Sequence, residues 1–172
     1  MYVGSTVASE TTAAATGKVG QVRRDPMAML PFCGYNMGDY FAHWLEMGQK
    51  IPSPPKVFHV NWFRKGEDGK FLWPGYGENL RVVEWILARA RGEGKAVKTP
   101  IGYTPSADAL DLTGLGLPAG VMEQLLAVKP EEWTAELEDV KKFYEQFGPT
   151  LPKKLQAQFD ALKDRLKARV AA

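Results

Sequence analysis

Apolar positions recur at helical spacing most clearly near the end of the chain. Trp133, Leu137, Val140, Tyr144 and Phe147 form one stripe, and Leu155, Phe159, Leu162 and Leu166 form another. They predict two packed helices whose abundant Lys and Glu cover the outer faces. Pro130 suits the first position of the earlier of these, and Pro118 opens a shorter helix before it. Upstream, Phe41, Trp44 and Leu45 share one face of a helix over residues 38–47, with Asp39 in its first turn and Gly48 able to end it. Leu80, Val83, Ile86, Leu87 and Ala90 line a stripe on a helix over residues 80–89, which Asn79 can cap. A period of two appears in Lys56-Val57-Phe58-His59-Val60-Asn61-Trp62-Phe63, which predicts a strand with Phe58, Val60 and Trp62 on one face. Residues 64–70 then read as a charged turn with an Asp68-Gly69 step, and Phe71-Leu72-Trp73 as the return. Residues 2–7 read as a short strand with no clear beginning, as expected of a piece of something larger. Residues 9–20 are small, hydroxylated and glycine-ended. Their alanines favour a helix from near Ser9, and their lack of bulky anchors equally favours a mobile loop. Residues 25–36 are bracketed by prolines and predict an irregular, partly buried connection, and residues 99–116 a segment wandering over a surface.

Composition narrows the class of protein. The 172 residues are 45% hydrophobic and 24% charged, with a formal net charge of +2, which describes an ordinary globular chain of about one domain. Folding would bury roughly 70% of the unfolded surface. The near-neutral balance supplies no general field for nucleic acid or anionic lipid. No apolar run reaches the roughly 18 residues of a membrane helix, and Glu10 interrupts the start, so no signal peptide is expected. One cysteine cannot form an internal disulfide, and with two histidines it makes a poor metal site, which points to a reducing compartment, most simply cytoplasm.

Chemistry concentrates in residues 61–79. Five aromatics, Trp62, Phe63, Phe71, Trp73 and Tyr76, fall there together with Asn79. Phe63, Phe71 and Tyr76 can form a slot for a flat ring, and stacking a base contributes about 1–3 kcal/mol. A side-chain amide can tell bases apart, because it both accepts and donates, and guanine offers the complementary N1–H and O6. Asn79 is then either a base-reading amide or a helix cap, and the rings are either a slot or core. Arg64 and Lys65 read as a solvated turn or as groups approaching phosphates. No G-x-x-x-x-G-K-[ST] sequence occurs. His43 and His59 are isolated, and Cys33 reads as a small core residue rather than a nucleophile.

At these residues the sequence resembles a known family. Ser9-Glu10-Thr11-Thr12-Ala13-Ala14-Ala15, Arg24-Asp25-Pro26-Met27-Ala28-Met29, Pro31-Phe32-Cys33-Gly34-Tyr35-Asn36, Phe58-His59-Val60-Asn61-Trp62-Phe63-Arg64-Lys65 and Gly69-Lys70-Phe71-Leu72-Trp73-Pro74-Gly75-Tyr76-Gly77-Glu78-Asn79 resemble the C-terminal part of GTP-dependent phosphoenolpyruvate carboxykinase. The resemblance runs from about residue 2 to 115 and more loosely into the helical tail. It implies an enzyme of gluconeogenesis that converts oxaloacetate and GTP to phosphoenolpyruvate, CO₂ and GDP, with Mn²⁺ at the site and Mg²⁺ with the nucleotide. By the resemblance, Phe63, Phe71 and Tyr76 enclose guanine and Asn79 reads it. Tyr76 stands where phenylalanine is commoner. Trp62, Gly77 and Glu78 belong to the same nucleotide-binding stretch. Ser9, Glu10, Thr11, Thr12, Ala13, Ala14, Ala15, Thr16, Gly17 and Lys18 match a lid, within residues 9–20, that excludes water so that an enolate is phosphorylated rather than protonated. Phe32 matches an aromatic near the substrate and CO₂ pocket.

The same resemblance places the phosphate loop, the metal ligands and the substrate arginines upstream, so the chain is expected to be the last third or less of the enzyme, to contain no metal ligand and to be inactive alone. The expected fold is α/β, a mixed α+β fragment with few short strands and a helix-rich C-terminal half, part of a C-terminal nucleotide-binding domain. Residues 1–116 are expected to form the partial nucleotide-binding domain and residues 117–172 the helical segment. Strand edges left unpaired would favour self-association. The alternatives are a non-catalytic aromatic slot for a nucleotide, sugar or peptide, and a purely structural piece whose aromatics are all core.

Overall fold

The computed structural model describes residues 1–11, 17 and 22–170. The architecture is mixed, as the sequence predicts: helices carry most of the later chain, and among the described residues each of two sheets has two strands. Two compact units divide it, one of Met1–Val57 with Pro130–Ala172, the other Phe58–Lys129.

The first unit opens with helix α1, Tyr2–Thr6, where the sequence reads as a short strand. Hydroxyl groups account for the difference. Ser5 Oγ donates to Tyr2 O at 2.8 Å and Thr6 Oγ1 to the same oxygen at 3.0 Å, bonds that close a single helical turn. Ser5 is fully buried, and because its one proton goes to Tyr2, the Tyr144 hydroxyl donates to Ser5 Oγ at 2.7 Å. Strands β1, Ala8–Glu10, and β2, Val22–Arg24, pair antiparallel, Ser9 opposite Arg23 and Glu10 opposite Val22. A helix starting near Ser9 is thereby replaced by a strand. The expected lid residues Thr12, Ala13, Ala14, Ala15, Thr16 and Lys18 lie outside the described residues.

Helix α2, Met37–Lys50, is capped by Asn36, whose Oδ1 accepts from the Gly38 N–H at 2.8 Å. It runs through Gly48, since one internal glycine costs only about 1 kcal/mol. Phe41 is fully buried, while Trp44 is more than a third exposed. A Cβ at Gly38 would stand 2.7 Å from Thr150 O, so the helix start touches backbone through a position that only glycine fits. Helices α5, Pro130–Glu145, and α6, Lys153–Val170, pack as the two stripes predict. Leu137, Val140, Tyr144, Phe147, Leu155, Phe159, Leu162 and Leu166 are all buried, joined by Phe143.

The second unit has a smaller core around Trp85, Leu110 and Met122, with Phe58, Val82 and Ile86 against it. Residues 56–63 form no strand. β propensity needs a neighbouring ladder to satisfy N–H and C=O groups, and among the described residues none pairs with this segment. Phe58 instead packs edge-on against Trp85, centroids 6.1 Å apart. Residues 64–72 make a tight hairpin around one bridge, Lys65 opposite Phe71, with Leu72 N donating to Arg64 O at 2.9 Å. Helix α3, Asn79–Arg91, buries Trp85 and leaves Leu80, Val83 and Leu87 exposed, so its buried face is rotated from the predicted stripe. Residues 99–116 do not merely wander: strands β3, Ala96–Thr99, and β4, Gly102–Pro105, form a hairpin. Helix α4, Val121–Leu126, starts after Gly120 rather than at Pro118.

Candidate functional site

The aromatic stretch lies within the second unit, and its rings divide sharply by exposure. Phe63 is 71% exposed, Phe71 56% and Tyr76 92%, whereas Trp73 is 6% exposed. These three exposed rings are therefore not core. The hairpin produces the division. Asn61 Oδ1 accepts from Phe63 N at 2.9 Å, an Asx turn that directs the chain into the hairpin, and the Lys65–Phe71 bridge brings Phe63 and Phe71 together. Their centroids are 5.9 Å apart and their planes at 63°, an edge-to-face contact. A base sandwiched between parallel rings needs about 7 Å, twice the contact distance between carbon atoms, so these two rings close on each other here. The Lys65 ammonium sits 5.4 Å from the Phe71 centroid, a cation–π contact.

Arg64 is half-buried. Its Nη1 donates to Ala127 O at 2.8 Å and Leu125 O at 3.4 Å, fastening the hairpin to the carbonyl end of α4. Behind the exposed rings, Trp62 packs on Trp73 with centroids 6.1 Å apart. Trp73 Nε1 donates to Asn79 Oδ1 at 2.9 Å. Asn79 is thus the first residue of α3, and its side-chain oxygen serves a buried indole rather than a backbone cap. Gly75, at φ 123° and ψ −171°, takes a backbone conformation essentially reserved for glycine, which turns the chain back so that Asn79 meets Trp73. Residues Tyr76–Glu78 form a short 3₁₀ turn. Glu78 Oε2 accepts from Arg81 Nε at 2.7 Å, and Arg81 in turn holds Asp111 O and Thr113 O. Apart from its two chain neighbours, nothing lies within 4 Å of where a Gly77 Cβ would stand, so packing within the chain does not require glycine there.

In the first unit, Phe32 is 84% exposed at the end of a 3₁₀ turn, Leu30–Phe32. Cys33 is half-buried rather than core, its Sγ donating to Tyr35 O at 3.4 Å. The residue that sequence reasoning missed is Asp25, 4% exposed. Its Oδ2 accepts from Ser9 Oγ at 3.2 Å and Arg23 Nη2 at 3.3 Å, and its Oδ1 from Leu30 N at 3.1 Å. One carboxylate therefore ties the β1–β2 ribbon, which carries the first expected lid residues, to the turn that carries Phe32. The available signal was the Asp-Pro step opening that connection. Met27 and Ala28 beyond it have φ of 51° and 55°, left-handed conformations that strain non-glycine residues. Arg24 is structural: Nε donates to Asp139 at 2.7 Å and Nη1 to Glu136 at 2.8 Å and Thr6 O at 2.7 Å. Burial opposes its charge, but these carboxylates outweigh burial and raise its pKa further.

Among the described residues no group of three or more His, Cys, Asp or Glu is arranged to hold a metal ion. Those described residues therefore offer no such cluster for the Mn²⁺ and Mg²⁺ that the resemblance implies. No described helix is long and apolar enough to cross a membrane.

Comparison with known proteins places the chain in a family. The model for the phosphoenolpyruvate carboxykinase C-terminal P-loop domain matches residues 1–165, and the chain belongs to that family. Similar proteins include phosphoenolpyruvate carboxykinase [GTP] of Neocallimastix frontalis, 56% identical over 171 residues, and that of Anaeromyxobacter dehalogenans strain 2CP-1, 53% identical over 168; each alignment covers 98% of this chain. The protein of the same name from Arthrobacter sp. strain FB24 is 51% identical over 96% of the chain. The chain spans 28% of the length of these relatives.

Proposed function

We propose that this chain supplies guanine recognition, the lid and one wall of the substrate pocket in a GTP-dependent phosphoenolpyruvate carboxykinase, which converts oxaloacetate and GTP to phosphoenolpyruvate, CO₂ and GDP. The observation that carries the reading is the exposure of Phe63, Phe71 and Tyr76 in the stretch whose amide, Asn79, is held by Trp73. Phe63 and Phe71 part from their edge-to-face contact, the base stacks on the exposed faces, and the Asn79 carboxamide meets its N1–H and O6. The open space at Gly77 supports close approach of a ligand to the backbone. Trp62 backs the site by packing on Trp73, and Glu78 shapes it through Arg81.

The lid role is proposed for residues 9–18, from Ser9, Glu10 and Thr11 through Gly17 and Lys18, and the substrate wall for Phe32, whose ring is open to solvent. Closure of small residues over a site excludes water and protects an enolate from protonation. The sequence holds no G-x-x-x-x-G-K-[ST] phosphate loop, so these residues alone are not expected to form phosphoenolpyruvate.

Binding of GTP and ATP to the chain, followed by ligand-detected NMR, tests the reading. GTP should bind more tightly, and Asn79→Ala should weaken GTP by about 1–3 kcal/mol while leaving ATP nearly unchanged. Equal affinity for the two nucleotides, or a sugar that binds better than either, overturns it.

A further inference from the structure

An amide that reads a base has a weakness: it is nearly symmetric in shape. Rotating the terminal torsion of asparagine by a half turn exchanges oxygen and nitrogen, and that torsion is soft. In one orientation the carboxamide matches a 6-oxopurine, accepting from N1–H and donating to O6. In the other it matches a 6-aminopurine, donating to N1 and accepting from the exocyclic amine. Asn79 free to turn would therefore read both classes.

It is not free to turn. Trp73 is 6% exposed, and a buried indole N–H needs an acceptor. An indole nitrogen donates and never accepts, so the carboxamide atom 2.9 Å from it is the oxygen. Turning Asn79 over would set its NH₂ against the indole N–H, two donors face to face, and leave the buried indole unsatisfied. The bond leaves recognition capacity intact, because a carbonyl oxygen accepts twice and, among the described residues, the Asn79 NH₂ makes no hydrogen bond. The surroundings fix the indole as well: Trp62 packs against it, and Gly75 makes the turn that carries the chain from Trp73 back to Asn79.

We propose that Trp73 is a specificity-positioning residue, whose indole N–H locks the Asn79 carboxamide in the one orientation that accepts a 6-oxopurine and rejects a 6-aminopurine. This rests on the reading of residues 61–79 as a purine site. The aromatic faces supply affinity that scarcely distinguishes one base from another. Asn79 supplies the hydrogen bonds, and Trp73 supplies the direction in which they point.

The test uses the full chain in three forms: unaltered, Trp73→Phe, and Trp73 replaced by 3-benzothienylalanine, which keeps the bicyclic shape but has sulfur in place of the N–H. GTP and ATP affinities are measured by ligand-detected NMR and the fold by circular dichroism. The unaltered chain should prefer GTP by about tenfold or more, as expected when hydrogen-bonding groups are left unmatched by the wrong ligand. In both replacements the preference should fall to within about threefold, the residual that stacking gives, mainly because ATP binds better. General damage to the site would weaken both nucleotides together and leave their ratio alone. If Trp73→Phe does not fold, the benzothienyl form decides. An unchanged ratio in a folded replacement overturns the locking role while leaving the purine site standing, as does a Trp73 indole proton that exchanges freely with solvent in the unaltered chain. No GTP preference in the unaltered chain overturns the guanine reading and the lock with it.

Discussion

In the unit of Met1–Val57 and Pro130–Ala172, Phe41, Phe143, Phe147 and Phe159 are buried. Phe41 and Phe143 each meet Phe147 edge-on, with centroids 5.3 and 5.0 Å apart. In the unit of Phe58–Lys129, Phe63, Phe71 and Tyr76 stand mostly in solvent. The residue types are the same and the local geometry is not. Helices α2, α5 and α6 repeat every three or four residues, so rings at that spacing reach a common core. A hairpin with one bridge has no second layer to cover it. Burying a ring rather than exposing it stabilises a fold by about 1.5–3 kcal/mol. The second unit forgoes this three times within one short stretch, and the proposed ring-binding role gives those faces something to meet.

Breaking the buried side of the contrast should have the largest effect. Phe41→Ala is expected to destabilise the chain by about 3–5 kcal/mol, read from urea unfolding; a loss under about 1 kcal/mol would mean the aromatic core is loosely packed. The exposed side should respond the other way. Phe63→Ala or Phe71→Ala is expected to change stability by no more than about 0.5 kcal/mol while weakening GTP binding by about 1–3 kcal/mol. A large stability loss from either would return these rings to a structural role.

Smaller, and confined to the first unit, is a response to alkali. Burial, reinforced by Glu136, pushes the Tyr2 hydroxyl up to about 12, and burial raises Tyr144 further. A phenol near 10 when unfolded and higher when folded stabilises the fold fully below pH 10. That contribution is lost as pH rises from 10 toward 12. Phenolate absorbance should then lag behind that of the unfolded chain across this window, and Tyr144→Phe should reduce the alkaline loss of helix signal. Coincident titration of the folded and unfolded chains would contradict the buried Ser5–Tyr144 contact.

Long amphipathic elements were legible in the sequence because many residues vote for one face. The stripes from Trp133 to Phe147 and from Leu155 to Leu166 are buried at every position but Trp133, which is half-buried. Short or two-faced elements were not. Helix α1 depends on two hydroxyl bonds that no periodicity encodes. Residues 56–63 have the composition of a strand, but composition cannot provide a pairing neighbour. On α3 the apolar positions offer two faces, and Trp85 wins because Leu110 and Met122 lie beneath it. The aromatics of residues 61–79 mark a candidate site in the sequence without marking which ring is buried. Asn79 looked like a cap or a base reader, and only the turn at Gly75 discloses the indole it faces.

Gly38 sets a limit on how this family member can diverge. With Thr150 backbone at the edge of the first turn of α2, any larger residue there forces apart two segments separated by more than a hundred positions. Drift at one place must therefore be answered at the other, and a lone change at 38 is costly through this backbone contact alone.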